Sequence, residues 1–159
     1  MSIPRTTLCY ISQGDNWLFI RKSRKDDPNQ GKYLGIGGHI EEGETPDECM
    51  IREIFEETGL TKDDLINLRR MGIIDFESDI WGKEEMNVYL ADLKDGRDPT
   101  SYECDEGCLM WIRKTDAFDL PMWEGDRIMF RKLLMEERFH MSMRYEGETL
   151  VETEEKQYL

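Results

Sequence analysis

The chain has 159 residues, the usual length of one domain, with 21 basic and 35 acidic residues and a formal net charge of −14. This charge excludes a general nucleic-acid-binding or anionic-membrane-binding surface, because both need a positive field. No apolar run approaches the roughly 18 residues of a membrane span, and the N-terminus lacks a signal-peptide layout, so we expect a cytoplasmic protein without membrane or nucleic-acid partners.

The N-terminal third is predicted to hold a hairpin followed by loops. Two β-prone runs, 7–11 and 17–21, are separated by the turn residues 13–16. Residues 22–32 are polar and contain Asp, Pro, Asn and Gly, which predicts a loop. A glycine-rich segment, 35–43, follows this loop and precedes the first helix.

The first helix is predicted to cover residues 46–58. Thr45 is a good N-cap, Pro46 suits the first helical position, and Glu48 completes a capping box with Thr45. Gly59 predicts the end of the helix, because glycine readily adopts the left-handed backbone of a C′ position.

The remainder is predicted to alternate strands with one more helix, which gives an α+β fold in a single domain over 1–159. Alternating apolar residues indicate the strands, and a one-sided apolar stripe indicates the helix. The predicted strands are 68–76, 86–93, 109–113 and one from Phe139 through Tyr145, and the helix runs from Gly125 or Asp126 to Glu137. The acidic tail from about Glu146 is expected to fray.

Three glutamates share one face of the first helix. At about 100° per residue, Glu57 lies near 40° and Glu56 near −60° from Glu53, while Ile54 and Phe55 lie on the opposite face. Such like charges repel by a few tenths of a kcal/mol per pair, so a purely structural helix gains nothing from them. The glutamates alone leave two interpretations open, a Mg²⁺ or Mn²⁺ site or a solvated acidic face.

A longer pattern surrounds these glutamates and favours the metal site. Gly38 is followed after five residues by Glu44, and after seven more by Arg52-Glu53-Ile54-Phe55-Glu56-Glu57-Thr58-Gly59-Leu60. This run matches the full Nudix signature over 38–60. The odds of a chance match are on the order of 10⁻⁹ per window at typical residue frequencies. The chain therefore resembles the Nudix hydrolases.

The resemblance implies a mixed β-sheet sandwiched between helices, with the signature as a loop–helix–loop metal site. It implies hydrolysis of a nucleoside diphosphate linked to another group, with Mg²⁺ or Mn²⁺. Glu53, Glu56, Glu57 and the carbonyl of Gly38 would be metal ligands, and Glu44 and Arg52 a supporting ion pair. For the catalytic base we favour Glu53, with Glu57 next.

Segments outside the signature resemble one subgroup, the MutT-like oxidised-purine nucleoside triphosphatases. These segments include 31–38, Glu103 to Glu106, and Met122-Trp123-Glu124-Gly125-Asp126. The resemblance implies that Trp123 stacks on the purine, that Asp126 reads the base edge, and that Glu106 is an additional acid beside the metal. It favours 8-oxo-dGTP as substrate, cleaved to the monophosphate and pyrophosphate to sanitise the nucleotide pool.

Two positions depart from the human enzyme of that subgroup. Gly125 stands where that enzyme has a second aspartate, and Leu34 stands where it has an asparagine. Both changes remove polar contacts to the base. Lys22, in the basic stretch 22–25, is either part of a solvated turn or a contact to the triphosphate, since an acidic enzyme needs local positive charge for a polyphosphate.

Several alternatives remain open at this point. A Nudix enzyme for a dinucleotide, a nucleotide sugar or an RNA 5′ end would share the signature, and so would a non-catalytic module, although such modules usually lose signature glutamates. The oligomeric state is left open between monomer and homodimer. The four cysteines form no CxxC pair, which argues against zinc and for reduced thiols. His39 and His140 are expected to make local hydrogen bonds.

Overall fold

The computed structural model describes residues 2–157, which form an α+β fold as expected. The described elements are β1 Arg5–Gln13, β2 Asn16–Lys22, β3 Tyr33–Leu34, β4 Ile36–His39, α1 Pro46–Thr58, β5 Leu65–Ser78, β6 Gly82–Leu93, β7 Gly107–Arg113, α2 Glu124–Leu134, β8 Phe139–Glu146 and β9 Thr149–Lys156. No helix within residues 2–157 has the length and apolar character needed to cross a membrane.

The strands form one mixed sheet in the order β3-β2-β1-β6-β5-β8-β9, with β4 paired to β1 and β7 paired to β2. The pairs β1–β6 and β5–β8 are parallel, and the other pairs are antiparallel. Strand β1 divides its pairing, since Thr6–Cys9 face β4 whereas Ser12 and Gln13 face β2. This division brings the glycine-rich strand β4 against β1 just before α1 begins.

Two hydrophobic cores lie on opposite faces of the sheet. On β1, Leu8 and Tyr10 enter one core while Cys9 and Ile11 enter the other, as the two-residue period of a strand requires. Helix α2 covers the first core and α1 covers the second, with the contributing side chains Met129, Phe130 and Leu133 from α2 and Met50 and Ile54 from α1. The sheet is therefore sandwiched between helices, as predicted.

The two helices differ in how well the sequence defined them. Helix α1 has the predicted bounds, but α2 ends three residues before Glu137. The predicted apolar face of α1 is wrong at Phe55, whose side chain is exposed. Its place in the interior is taken by Thr58 and by the charged Glu57, so the buried face of α1 is rotated toward the carboxylates.

The acidic tail does not fray as expected, because residues 149–156 form β9, paired antiparallel with β8 along its length. A two-residue turn, Gly147–Glu148, joins the strands, and Gly147 has the positive φ of +60° that such turns favour. The side chains of β9 are mostly exposed, so its acidic residues remain in water while its backbone pairs on one side. Charge on an edge strand is compatible with this arrangement.

Candidate active site

The loop–helix–loop of the signature begins with the predicted capping box. The Glu48 backbone N–H donates to Thr45 Oγ1 at 3.1 Å, and the Thr45 N–H donates to Glu48 Oε1 at 3.0 Å. At the other end Gly59, with φ +76°, donates its N–H to the Phe55 carbonyl at 2.9 Å. Both ends of α1 are thus fixed by local hydrogen bonds, which holds the glutamates between them in register.

Two glycines of β4 allow the backbone to approach its neighbours closely. A Cβ atom at Gly37 would lie 1.8 Å from the carbonyl oxygen of Thr7 on β1. At Gly38 it would lie 2.4 Å from Oε1 of Glu53. The carboxylate of Glu53 therefore rests against the backbone of Gly38, a contact that any larger residue would disturb.

Arg52 and Glu44 form the predicted ion pair. The guanidinium donates from Nε to Glu44 Oε2 at 2.7 Å and from Nη2 to Glu44 Oε1 at 3.0 Å, a bidentate arrangement. These bonds lower the pKa of Glu44 to about 2 and raise the pKa of Arg52. Nη2 also donates to the His39 carbonyl at 3.1 Å, so Arg52 ties the loop to the helix.

The three glutamates of α1 differ in their surroundings. Glu56 is exposed, and Glu53 is largely covered, with burial raising its pKa. Glu57 is only 6% exposed and accepts a hydrogen bond from the Gly37 N–H at 3.0 Å. Burial raises the pKa of Glu57 to about 8, an effect that the charge of Lys22 opposes. A buried carboxyl with so high a pKa is stabilised in its charged form by any nearby cation.

The donor set fits a hard divalent cation. Within residues 2–157, no group of three or more His, Cys, Asp or Glu side chains is arranged to hold a metal ion as placed. The guanidinium of Arg52 bridges Glu53 and Glu56, at 2.9 and 3.2 Å. A cation thus stands between two of the predicted ligands, and the carboxylate and carbonyl oxygens are those that Mg²⁺ and Mn²⁺ prefer.

Glu106 and Lys22 lie together across the cavity from α1. Lys22 Nζ is 3.4 Å from Glu106 Oε2, and Arg24 Nη1 is 3.3 Å from Glu106 Oε1. The charge of Glu106 contributes to the raised pKa of Glu57, after burial, the opposing Lys22 and the charge of Glu53. Glu106 and Lys22 both line the cavity, as a metal-side acid and a phosphate contact would have to.

An aromatic cluster forms the other end of the cavity, around Trp123. The indole Nε1 donates to Asn29 Oδ1 at 2.6 Å. The rings of Trp81 and Tyr145 meet the ring of Trp123 nearly at right angles, with centroids 5.3 and 5.6 Å away. Trp81 sits on the β5–β6 turn and Tyr145 on β8, so three separate elements meet here.

Asp126 lies beside this cluster in the first turn of α2. Its Oδ2 is buried and has no hydrogen-bond partner among residues 2–157. Burial raises the pKa of Asp126 to about 7. A buried oxygen without a hydrogen-bond partner is costly, and a ligand that hydrogen-bonds to Oδ2 removes that cost.

The two departures from the human enzyme have different structural consequences. Leu34 lines the cavity and offers no polar contact. At Gly125 a Cβ atom would lie 2.4 Å from Met143 Sδ and 2.6 Å from the Tyr145 hydroxyl. A second aspartate would therefore require the ends of the Met143 and Tyr145 side chains to move. The space is occupied by Tyr145, whose hydroxyl accepts the Gly125 N–H at 2.8 Å.

One cavity of about 800 Å³ connects the carboxylate end to the aromatic end. Its lining includes Gly38, Glu53, Glu57, Lys22, Glu106, Leu34, Trp123 and Asp126. The lining does not include Glu44, Arg52 or Glu56. Of these, Arg52 contacts the lining directly, because its guanidinium donates to Glu53. The sequence analysis did not identify Trp81, Asn29 or Tyr145, which also line the cavity. Trp81 lies in the β5–β6 turn and Tyr145 in β8, and no motif in the sequence marks either of them as a site residue.

The histidines and cysteines stay outside this chemistry or at its margin. His140 Nε2 pairs with Asp75 Oδ2 at 2.8 Å, between β8 and β5, which is the expected local hydrogen bond. The side chain of His39 is exposed at the cavity margin. All four cysteines are free thiols.

The fold and the site together define a hydrolase of pyrophosphate bonds. The NUDIX domain model matches residues 3–133, so the chain belongs to the Nudix family. An uncharacterised Nudix hydrolase of Bacillus subtilis, YvcI, is 32% identical over 128 residues, which is 78% of this chain and 75% of that protein. Divalent-metal dependence and a nucleotide-type substrate are typical of the family.

Two further relatives carry names related to oxidised purines or MutT. The oxidized purine nucleoside triphosphate hydrolase of Danio rerio is 34% identical over 126 residues, 76% of this chain and 74% of that protein. The crystal structure of a mutator MutT protein from Bacillus halodurans superposes with a TM-score of 0.78 at 26% identity, covering 96% of this chain and 97% of that one.

Proposed function

We propose that the protein is a Mg²⁺- or Mn²⁺-dependent pyrophosphohydrolase of oxidised purine nucleoside triphosphates. Its preferred substrate would be 8-oxo-dGTP, cleaved to the monophosphate and pyrophosphate to sanitise the nucleotide pool. One observation carries the proposal, namely the single cavity that joins the signature glutamates to Trp123 and Asp126. The name of the Danio rerio relative supports the same substrate class.

At the carboxylate end, Glu53, Glu56, Glu57 and the Gly38 carbonyl would hold the metal, with Glu106 opposite. A bound divalent cation neutralises phosphate charge, polarises the P–O bond and lowers the pKa of water. Glu53 would accept the proton of the attacking water, because burial raises the pKa of its carboxyl. Arg52 Nη1 donates to Glu53 Oε1 at 2.9 Å, which would fix the orientation of that carboxyl. Glu57 is the second candidate, with its pKa of about 8.

Positive charge for the phosphate chain would come from Lys22. Its side chain is largely buried against the cavity, where holding an extended lysine costs little additional entropy. Its partner Glu106 would be shared between Lys22 and the metal. This arrangement supports the phosphate-contact interpretation of Lys22 over that of a solvated turn.

At the aromatic end, Trp123 would stack on the purine and Asp126 would read its edge. With a pKa of about 7, Asp126 is present in both protonation states near neutral pH, so it can donate to a carbonyl oxygen or accept from ring N–H groups. Tyr145 supplies a hydroxyl where the human enzyme has an aspartate at the position of Gly125. The base edge would therefore meet one carboxyl and one phenol.

A nucleotide panel with Mg²⁺ tests the proposal directly. We expect wild type to release pyrophosphate and to show a higher kcat/KM for 8-oxo-dGTP than for dGTP. Trp123→Ala should raise KM for both nucleotides by about 5- to 150-fold, the change expected when the stacking free energy of one base is lost. Asp126→Ala should reduce the preference for 8-oxo-dGTP more than it slows dGTP hydrolysis.

Trp111→Ala is the matched control, because Trp111 is a partly buried tryptophan on β7 outside the cavity lining. It should leave KM within about twofold of wild type. Equal kcat/KM for the two nucleotides in wild type would overturn the oxidised-purine assignment. The remaining candidate would then be a Nudix hydrolase of a dinucleotide, nucleotide sugar or RNA end, which the same panel would show by a different product.

A further inference from the structure

The ring of Trp123 carries a cation on one face. The ammonium of Lys32 lies 4.6 Å from the ring centroid, within the range of a cation–π interaction. Asn29, Trp81 and Tyr145 line the cavity together with Trp123, but Lys32 is not part of that lining. The ammonium covers one face of the indole, and its charge is among those that oppose the burial-raised pKa of Asp126, so it lies close to the aromatic end of the cavity.

Lys32 is held in this position by Glu148 of the β8–β9 turn. Lys32 Nζ donates to Glu148 Oε1 at 2.6 Å, across 116 residues of chain. The side chain of Lys32 is 17% exposed, whereas that of Glu148 is 65% exposed. The lysine is thus packed between the indole and a carboxylate, and loss of either partner leaves a partly buried ammonium less well compensated.

The β8–β9 hairpin contacts two more segments of the aromatic end, one through the turn residue Gly147 and one through Leu150 of β9. The Gly147 N–H donates to Asp79 Oδ1 at 3.0 Å, beside the β5–β6 turn that carries Trp81. The Leu150 N–H donates to Glu124 Oε1 at 3.2 Å, the residue next to Trp123. The hairpin therefore contacts loop 23–32, the β5–β6 turn and the start of α2, although Gly147 and Glu148 do not line the cavity.

This turn lies outside the part of the chain that the family model matches, which ends at residue 133. Within residues 2–157, the hydrogen bonds of Gly147 and Glu148 go to Asp79 and Lys32, and none goes to the 37–57 segment, Lys22 or Glu106. Contacts of the turn are confined to the aromatic end. Its effect on the enzyme should therefore appear in nucleotide affinity rather than in the chemical step.

We propose that Lys32 and Glu148 are positioning residues that hold Trp123 in its base-stacking orientation, and that the C-terminal hairpin thereby sets the affinity for the purine. The proposal rests on the function proposed above, since it requires a base to stack on Trp123. A cation on one face of the indole also attracts its π-electrons, which would strengthen stacking of an electron-rich purine on the opposite face.

Glu155 offers a matched control on the same hairpin. It forms a 2.7 Å ion pair with Lys132 and is 62% exposed, close to the values for Glu148, but it lies away from the cavity. We would measure KM and kcat for 8-oxo-dGTP and dGTP, and the Kd for dGMP by tryptophan fluorescence without metal. The variants are Lys32→Met, Lys32→Arg, Glu148→Gln, Glu155→Gln and Trp123→Ala, with melting temperatures recorded for each.

We expect Lys32→Met to raise KM and the dGMP Kd by about 3- to 10-fold, within the range of a cation–π contact, and Glu148→Gln by about 2- to 4-fold. Both variants should keep kcat within about twofold of wild type, Lys32→Arg should restore affinity, and Glu155→Gln should match wild type. Failure of Trp123→Ala to change KM would overturn base stacking itself. A large effect of Trp123→Ala with none from Lys32→Met and Glu148→Gln would overturn only the positioning role.

Discussion

Replacing Asp126 with Asn should stabilise the protein while weakening its discrimination between purines. The Asp126 side chain is buried at the wall of the cavity, its Oδ2 lacks a hydrogen-bond partner among residues 2–157, and burial raises its pKa from 3.8 to about 7. A carboxyl whose pKa rises on folding holds its proton more tightly in the native state. Its ionisation therefore destabilises the native state, beginning above the unfolded pKa near 4 and growing until the native pKa is reached.

The size of this effect follows from linkage. Between pH 4 and pH 8, a shift from 3.8 to about 7 changes the free energy of unfolding by about 3–4 kcal/mol against the native state. Asparagine has nearly the same shape and does not ionise, so Asp126→Asn should escape this loss. For a chain of this size the difference corresponds to about 6–16 °C in Tm at pH 8, with little difference at pH 4.

Thermal and urea unfolding of metal-free protein across pH 4–8 would measure this difference. Asp95→Asn is the control, because Asp95 is exposed and its replacement should leave the pH dependence unchanged. If the free energies of unfolding of wild type and Asp126→Asn differ by the same amount at every pH, the inference that burial raises the pKa of Asp126 is refuted. In kinetics, the variant should lose part of the preference for 8-oxo-dGTP, since the amide donates from one atom and accepts at the other, whereas a carboxyl can change an oxygen from donor to acceptor by losing a proton.

Two further predictions concern α1, the helix that carries the predicted metal ligands. Glu56→Gln or Glu57→Gln should each reduce pyrophosphate release by at least about 10²- to 10⁴-fold while the circular dichroism spectrum is retained, and near-wild-type turnover would contradict the metal-site assignment. Thr45→Ala should lower the free energy of unfolding by about 0.5–2 kcal/mol through loss of the 3.1 Å cap, with a smaller effect on activity at saturating Mg²⁺; an unchanged urea midpoint would contradict this role of the cap.

The parts of the fold that the sequence predicted are those fixed by local chemistry. Helix α1 was predicted to the residue because Thr45, Pro46, Glu48 and Gly59 each act within one helical turn. Six strands were predicted, although β5 and β6 extend further than expected, whereas β3, β4 and β9 were not predicted. The prediction for the tail is wrong because its acidic composition resembles that of a frayed end, while the turn signal of Gly147 and the β-prone run 149–151 are short.

The site divides in the same way. The contact between Arg52 and Glu44 spans eight residues and could be predicted from the signature. The hydrogen bond from Trp123 to Asn29 spans 94 residues, and the pair of Lys32 with Glu148 spans 116. Neither spacing has a sequence pattern, because these contacts depend on where loops meet after the sheet has formed.

This division explains why the signature could indicate the chemistry before the substrate. The proposed hydrolytic end consists of one continuous segment, 37–57, together with Lys22 and Glu106. Most of its residues can therefore be predicted from a single stretch of sequence. The base end is assembled from loop 23–32, the β5–β6 turn, the start of α2 and β8, and each contributes one or two side chains. Gly125 illustrates the consequence: the missing aspartate reads as a lost contact in sequence, whereas the structure places the Tyr145 hydroxyl 2.8 Å from the Gly125 nitrogen. We therefore expect substrate choice in this chain to depend on how the loops and the C-terminal hairpin pack, which single-residue comparison with a relative does not capture.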